Sequence, residues 1–437
     1  MDPIRGQTAV DPARRYTATT GYSVRVLIIS FLGVALSGFD SIARSVSAPV
    51  IVDDLHISVT FVTVVHSLSY LVTAGFNLIL GWVMQRWGRK AAFVLVLVAT
   101  AVTSGATAFV AGAWTYAVVG TIAGVCLSTQ GPAGLLVGEE TPAKRRGLYL
   151  GIMGASFPVG SATISMVGAI VLPSGNWRLL FYLTFLPVVL AGVAMFALRE
   201  PARSRDAIKV AQGQGPEEAA PEVIENVIDV EQARKHAWVQ AFGPDIRKQT
   251  ILLMITAFLL NTNQSMGLTL GAIFFTRYHH LPVGLASLVV SVMSIGSVVG
   301  AILIGRIGDH VNPRNLLVVC VTVGALGIMG FAIPGGAAVV FPVVILYGGG
   351  GMGAGGVWGR YMIESFPTRV RPTCVQFVHS TWFLNGVVIP PLLAMLIDAH
   401  KDAYAALLSG ALSIVGAALL LACKSFPPKQ ELEEIAI

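Results

Sequence analysis

Charged side chains are scarce in this sequence. Of its 437 residues, 12% are Asp, Glu, Lys or Arg, whereas soluble domains carry about 25%. Hydrophobic residues make up 54% of the chain, and the mean hydropathy is +0.74. These values exclude an ordinary soluble domain and predict a membrane protein. The net charge of +6 requires no nucleic-acid partner, because the basic residues lie in short segments beside apolar runs.

Cysteine is also rare, with four residues in the chain: Cys126, Cys320, Cys374 and Cys423. All four fall in or at the ends of apolar segments, so we expect neither a disulfide framework nor a metal site. The polar segments contain no nucleophile-base pair at catalytic spacing, and we therefore expect no enzyme activity and no cofactor. The first apolar run is too long for the core of a cleavable signal peptide.

Twelve apolar runs are long enough to cross a bilayer. They cover residues 24–50, 59–83, 91–112, 115–138, 147–172 and 178–198, then 250–277, 282–304, 314–333, 338–361, 372–397 and 402–423. The predicted fold is all-α, with twelve transmembrane helices in two pseudo-symmetric six-helix halves. The predicted divisions are a tail at 1–23, a half at 24–198, a linker at 199–249, a half at 250–423 and a tail at 424–437. One interpretation of residues 223–239 is a short surface helix.

Basic residues are concentrated in alternate loops. The loops after the second, fourth, eighth and tenth runs are rich in arginine and lysine, whereas the loops on the other side hold only Arg178, Arg277 and Lys401. Cytoplasmic loops carry an excess of Lys and Arg. Both termini and the linker are therefore predicted to be cytoplasmic, in an inner or plasma membrane.

Two loop motifs recur at a nearly constant separation. The loop beginning at Gly81 reads GWVMQRWGRK, and the loop beginning at Gly305, 224 residues later, reads GRIGDHVNPR. The pattern E-x-x-P-x-x-x-R begins at Glu139 and again at Glu364, 225 residues later. A six-helix unit repeated in this way is typical of transporters built from two related halves.

At these residues the sequence resembles the major facilitator superfamily, over nearly the whole chain. The loop signature G-x-x-x-D-R-x-G-R-K matches at Gly81, Arg86, Gly88, Arg89 and Lys90, and its second copy matches at Gly305, Asp309 and Arg314. Glu139, Pro142, Arg146 and Gly147, with Asn176-Trp177-Arg178, resemble the branch that holds sugar porters and organic-acid:proton symporters. Gly38-Phe39-Asp40 resembles the D-G-x-D motif of aromatic-acid:proton symporters.

The sequence departs from the family pattern at three positions. Gln85 replaces the loop aspartate, Ser37 replaces the first aspartate of D-G-x-D, and Gly120 stands where many relatives carry an arginine in the fourth span. The missing arginine makes Arg44 the leading cation within the membrane.

The resemblance implies a gate at the cytoplasmic helix ends. Its expected residues are Arg86, Arg89, Glu139, Arg146, Asp309, Arg314, Glu364 and Arg371. Their carboxylates and guanidiniums would bridge neighbouring helices when this side is shut, each exposed pair contributing about 0–1 kcal/mol. We expect Arg360 to pair locally with Glu364. The alternative explanation for the basic residues is that they only mark the cytoplasmic side of the membrane.

Two ionisable residues lie within the first apolar run. Asp40 and Arg44 are four residues apart, so they share one face of a helix. A charge at bilayer depth costs roughly 2.5–3.5 kcal/mol on insertion scales, so such residues usually face a cavity or a partner. One interpretation is an internal ion pair that locks the bundle. We favour the other, in which Arg44 binds an anionic substrate group and Asp40 carries a proton.

Further polar side chains occur at helical spacing within the other runs. The expected substrate-binding residues besides Arg44 are Gln130, Asn261, Gln264, Tyr347, His379 and Trp382. Gln264 is the repeat equivalent of Asp40, and His66 is a second candidate for carrying protons. Ordinary hydrogen bonding between helices is the alternative for each of them.

The sequence thus predicts a secondary active transporter that takes up a small organic anion, such as an aromatic or aliphatic carboxylate, together with protons by alternating access. The alternatives are proton-linked transport of a sugar or polyol, drug efflux, or a membrane receptor. The expected partners are the substrate, protons and the lipid bilayer, with no nucleic acid. We expect a monomer.

Overall fold

The computed structural model describes residues 19–57, 59–211, 237–281 and 283–427. Throughout these ranges the regular secondary structure is helical, with no strand. Twelve helices are long and apolar enough to cross a membrane. The predicted all-α fold with twelve spans is therefore confirmed. Residues 212–236 of the predicted linker, including positions 223–236 of the proposed surface helix, lie outside the described residues.

The first six spans are called the N-terminal half here. Their helices are Thr20–Leu55, Val59–Trp87, Arg89–Gly105, Ala113–Ile122 continued by Gln130–Glu140, Ala143–Val171, and Arg178–Leu183 continued by Leu186–Ala197. The first helix extends past both ends of its apolar run. Apolar patterning marks the part of a helix inside the membrane and carries no signal for turns beyond it.

The last six spans are called the C-terminal half. Their helices are Arg247–Gln264 continued by Gly271–Arg277, Val283–Gly308, Pro313–Gly330, Ala337–Leu346 continued by Gly355–Glu364, Arg371–Asp398 and Asp402–Leu421. Two short helices, Ala202–Ala211 and Ala237–Ala241, lie in the chain between the halves.

The fourth and tenth spans, which are repeat equivalents, both leave α-helical geometry midway. The fourth contains a 3₁₀ segment, Ala123–Thr129, and the tenth a π segment, Tyr347–Gly351, followed by a 3₁₀ turn. Close helix crossings accompany both breaks, since a Cβ on Gly124 would lie 2.1 Å from the Ser69 carbonyl oxygen and a Cβ on Gly348 would lie 2.4 Å from the Met293 carbonyl oxygen. Such interruptions expose backbone groups and often mark functional positions.

The end of the bundle that carries the repeated loop motifs is called the basic end, and the opposite end is called the far end. The halves pack through the second span against the eleventh and the fifth against the eighth. At the second of these contacts the backbones touch, because a Cβ on Gly151 would lie 2.5 Å from the Ala301 carbonyl oxygen.

The hydrophobic core is shared at one end and divided at the other. Toward the basic end a single buried cluster combines both halves, with Met84 and Leu135 from one and Tyr361 and Val375 from the other. Toward the far end each half has its own cluster. The halves are therefore joined at the basic end in this conformation.

Candidate functional site

Asp40 and Arg44 lie in the middle of the first span and are almost completely buried, at 0% and 4% exposure. The Ser104 hydroxyl donates to Asp40 Oδ2 at 2.5 Å. Arg44 donates from Nη2 to Cys126 Sγ at 3.4 Å and from Nη1 to the Gly120 carbonyl oxygen at 3.5 Å. Asp40 Oδ1 and Arg44 Nε have no hydrogen-bond partner. Among the described residues no ion pair joins Asp40 to Arg44.

The 3₁₀ segment of the fourth span builds the surroundings of this pair. Its backbone carbonyls accept hydrogen bonds from neighbouring spans: Cys126 O from the Ser37 hydroxyl at 2.6 Å and Gly124 O from the Thr73 hydroxyl at 2.7 Å. A regular α-helix would engage these oxygens within itself. The irregular segment thus offers them to polar side chains of the first and second spans.

Arg44 lies beside the position where the sequence lacks the family's fourth-span arginine. Gly120 has no side chain, and its carbonyl oxygen accepts a hydrogen bond from the Arg44 guanidinium. Arg44 also interacts electrostatically with His66, Tyr70 and Tyr116. The cation of this site therefore comes from the first span and faces the second and fourth.

Aromatic side chains occupy the region where the second span meets the eleventh. His66 packs edge-on against Tyr70, with ring centroids 5.2 Å apart, and Tyr70 stacks on Phe383 at 6.2 Å. Trp382 lies 6.2 Å from Trp358 of the tenth span. All five are buried or partly buried, and together they form a central aromatic group contributed by both halves.

The remaining predicted substrate residues fall into two groups. Gln130 is exposed and His379 and Gln264 are partly exposed although they lie on membrane spans, while Asn261 donates to the Trp382 carbonyl oxygen at 2.7 Å. Tyr347 is instead buried, and its hydroxyl donates to the Asn263 carbonyl oxygen at 2.9 Å. Asn261 and Tyr347 thus both donate hydrogen bonds within the C-terminal half.

The basic end contains a buried network of crossed ion pairs. Glu139 Oε1 lies 3.2 Å from Arg89 Nη2 and 3.1 Å from Arg371 Nη1. Arg146 Nη1 lies 3.4 Å from Glu364 Oε1. Each repeated glutamate therefore pairs with the arginine of the other repeat. The sequence predicts exposed pairs. That prediction is wrong, because all these side chains are at most 1% exposed. The two halves close over them.

Asp309 joins the eighth span to the start of the fifth. Its carboxylate accepts the backbone N–H groups of Gly147 and Leu148 at 2.7 and 3.1 Å. Burial raises the pKa of Asp309 above its ordinary value, and the two N–H donors and Arg360 oppose that rise. The predicted local pair of Arg360 with Glu364 is confirmed at 2.8 Å.

Two predicted gate residues are placed away from these contacts between the halves. Arg86 is exposed. Arg314 donates to the Leu421 and Cys423 carbonyl oxygens at 3.3 and 3.0 Å, within its own half. In the first loop, Gln85 makes the contact with the opposite half. Its Oε1 accepts a hydrogen bond from the Thr373 hydroxyl at 2.6 Å.

Sequence reasoning missed Glu200, which follows the sixth span. Its carboxylate accepts the backbone N–H groups of Arg89 and Lys90 at 2.6 and 2.9 Å, which caps the start of the third span. Burial raises the pKa of Glu200, and the Arg89 charge opposes this most. Ser204 accepts from Arg89 Nη1 at 2.8 Å. No local sequence signal relates positions more than a hundred residues apart.

A groove of about 330 Å³ lies outside this central region, between the seventh and eleventh spans. It is lined by Phe242, Ile251, Met254, Ile255, Phe258 and Thr381. Its lining is nearly all apolar, so it offers no counter-charge for an anionic ligand. Among the described residues no group of three or more His, Cys, Asp or Glu side chains could hold a metal ion.

Comparisons with known proteins agree with this architecture. The family model of the Major Facilitator Superfamily matches residues 30–390. The chain is 27% identical to the gallate transporter of Pseudomonas putida over 325 residues, which is 70% of each chain. It is 22% identical to the cis,cis-muconate transport protein of Acinetobacter baylyi over 442 residues, covering 92% of this chain and 95% of that one.

The fold also matches solved structures. The proton:xylose symporter XylE, bound to 6-bromo-6-deoxy-D-glucose, superposes with a TM-score of 0.81 at 15% identity, covering 96% of this chain and 99% of that one. This family and these relatives are transporters rather than enzymes. The chain therefore belongs to the Major Facilitator Superfamily and is a multi-pass membrane transporter.

Proposed function

We propose that this transporter takes up an aromatic carboxylate together with protons across the cell membrane. The relatives named for gallate and muconate support a carboxylate as the substrate. The observation that carries the proposal is Arg44, a buried cation with no carboxylate partner among the described residues and with its Nε unpaired. A buried guanidinium that no carboxylate contacts directly is costly, so an anion that binds beside it is stabilised.

The central aromatic group favours an aromatic acid within this class. Tyr70, Phe383 and Trp382 present ring faces and edges near the midpoint of the bundle. Aromatic pairs contribute about 0.5–1.5 kcal/mol beyond the area they bury. An aromatic ring could pack among these side chains while its carboxylate is oriented toward the first span.

Asp40 is the proposed proton carrier. Its Oδ1 is buried without a partner, whereas Oδ2 is held by Ser104. Substrate bound at Arg44 would neutralise part of the nearby positive charge, and Asp40 would then accept a proton more readily. Because such linkage is reciprocal, protonation of Asp40 would in turn tighten substrate binding.

The basic end is proposed to be the cytoplasmic gate, with both termini in the cytoplasm. The crossed pairs of Glu139 and Glu364 would form when this end closes and separate when it opens. The described conformation would then correspond to a transporter closed toward the cytoplasm. Alternation would occur as the halves rock about the site between them.

Arg44 provides the test of the substrate class. In proteoliposomes, Arg44→Lys should weaken binding of benzoate-like acids, because an ammonium cannot make a planar two-pronged contact. Arg44→Ala should abolish binding while the protein still inserts and unfolds cooperatively. Unchanged carboxylate binding in Arg44→Ala would contradict the proposal. Binding of xylose or a polyol in the same screen, without carboxylate binding, would favour the neutral-solute alternative.

Asp40→Asn provides the test of proton coupling. This substitution resembles the protonated carboxyl, so the variant should bind substrate at neutral pH at least as well as the original protein. It should also exchange labelled substrate across the membrane, but it should not accumulate substrate in response to a proton gradient. Normal accumulation by Asp40→Asn would exclude Asp40 as the coupling residue and direct attention to His66.

A further inference from the structure

We propose that Cys126 is a positioning residue that keeps Arg44 from pairing directly with Asp40. This inference rests on the proposed proton coupling at Asp40 and adds the residue that tunes it. The side chain of Cys126 is completely buried, accepts a hydrogen bond from the Arg44 guanidinium and lies close enough to Asp40 to interact with it. The thiol is thus adjacent to both ionisable groups.

The position of the thiol is set by the backbone around it. The Cys126 carbonyl oxygen accepts the Ser37 hydroxyl at 2.6 Å and the Thr129 hydroxyl at 2.8 Å. The Ser37 bond anchors the 3₁₀ segment to the first span about one helical turn from Asp40, and the Thr129 bond lies within the segment itself. The sulfur then accepts from Arg44 Nη2 at 3.4 Å.

Asp40 and Arg44 both retain the capacity to pair. Asp40 Oδ1 and Arg44 Nε are buried without partners, and the two residues are one helical turn apart, the spacing at which such side chains meet. The other groups that face them are neutral or can be neutral: Ser104 beside Asp40, and His66, Tyr70 and Tyr116 around Arg44. Within the described residues, Asp40 is the one carboxylate that acts on Arg44.

A thiol and a guanidinium affect a carboxylate differently. A thiol is a weak hydrogen-bond donor with no positive charge, so it leaves Asp40 able to take up a proton. A guanidinium in direct contact favours the charged carboxylate. If Arg44 moved onto Asp40, proton loading would require a more acidic medium.

The test is the pH dependence of substrate uptake in proteoliposomes. In Cys126→Ala the thiol is gone and Arg44 can reach Asp40, so half-maximal uptake should require a proton concentration about tenfold higher. Cys126→Ser keeps a small group that can bond to both partners and should stay close to the original profile. Cys320→Ala is the matched control, because Cys320 is also buried but lies on the ninth span, in the cluster that both halves share toward the basic end.

A double variant separates positioning from a general packing defect. In an Asp40→Asn background there is no carboxylate for Arg44 to pair with, so adding Cys126→Ala should not move the pH profile of exchange further. If the pH profile of uptake is the same for Cys126→Ala and Cys320→Ala, the role of Cys126 is overturned and the proposed function is unaffected. Uptake by the unaltered protein that does not respond to pH would overturn the proposed function and this inference together.

Discussion

The two ends of the bundle use packing and charge in opposite ways. Toward the basic end one hydrophobic cluster spans both halves, and buried glutamates pair with arginines of the opposite half. Toward the far end each half has a separate cluster. Among the described residues, the ion pair at the far end joins Asp54 to Arg178 at 2.8 Å within the N-terminal half, with side chains 43% and 34% exposed.

This difference indicates which contacts hold the present conformation. Removing one partner of a buried ion pair costs roughly 3–5 kcal/mol, because the other charge stays buried without compensation. An exposed pair contributes only about 0–1 kcal/mol. Changes at the basic end should therefore shift the balance between conformations, and similar changes at the far end should leave it nearly unaltered.

The largest effect is expected from Glu139→Gln. The neutral amide removes the carboxylate that the buried Arg89 and Arg371 guanidiniums both contact, which should destabilise the closed basic end by roughly 3–5 kcal/mol. Spin labels placed at the exposed positions Arg86 and Arg306 should report longer distances than in the unaltered protein. The four native cysteines are buried and should label poorly. An unchanged distance distribution would mean that this network does not hold the end shut.

A smaller effect is expected where the backbones of the fifth and eighth spans touch. In Gly151→Ala the new methyl group would lie 2.5 Å from the Ala301 carbonyl oxygen, and such overpacking typically costs about 1–3 kcal/mol. The same spin-label distances should broaden toward the open form. Gly192→Ala is the matched control, because a Cβ there meets nothing within 4 Å. Equal behaviour of the two variants would show that the tight contact is not what limits opening.

The smallest effect is expected from Asp54→Asn at the far end. The Trp177 and Arg178 hydrogen bonds lower the pKa of Asp54 below its ordinary value. Their stabilisation is therefore present above the ordinary pKa and is lost as the pH falls through the lowered one. Thermal unfolding should differ slightly between Asp54→Asn and the unaltered protein at pH 7 and converge in strong acid. A change in the spin-label distances would contradict the comparison of the two ends.

Local sequence patterns predict the membrane spans well. Apolar runs long enough for a bilayer correspond to twelve observed helices, because burying backbone groups in lipid leaves few structures other than helices. The repeated motifs at Glu139 and Glu364 likewise indicate which residues occupy the helix ends. Neither pattern contains the partner of a charge, and the observed pairs join Glu139 to Arg371 and Glu364 to Arg146 across the repeat.

The candidate site likewise combines residues that the local sequence predicts with contacts that it does not predict. Asp40 and Arg44 can be recognised from the sequence alone, since charged residues four positions apart within an apolar run are costly and must face something polar. That a thiol contacts Arg44 depends on the 3₁₀ segment of the fourth span, where Cys126 meets the first span. Composition and spacing determined the fold class and the ionisable residues of this protein. Tertiary packing alone decided which side chains of different helices meet, because each such contact depends on how separate helices are brought together.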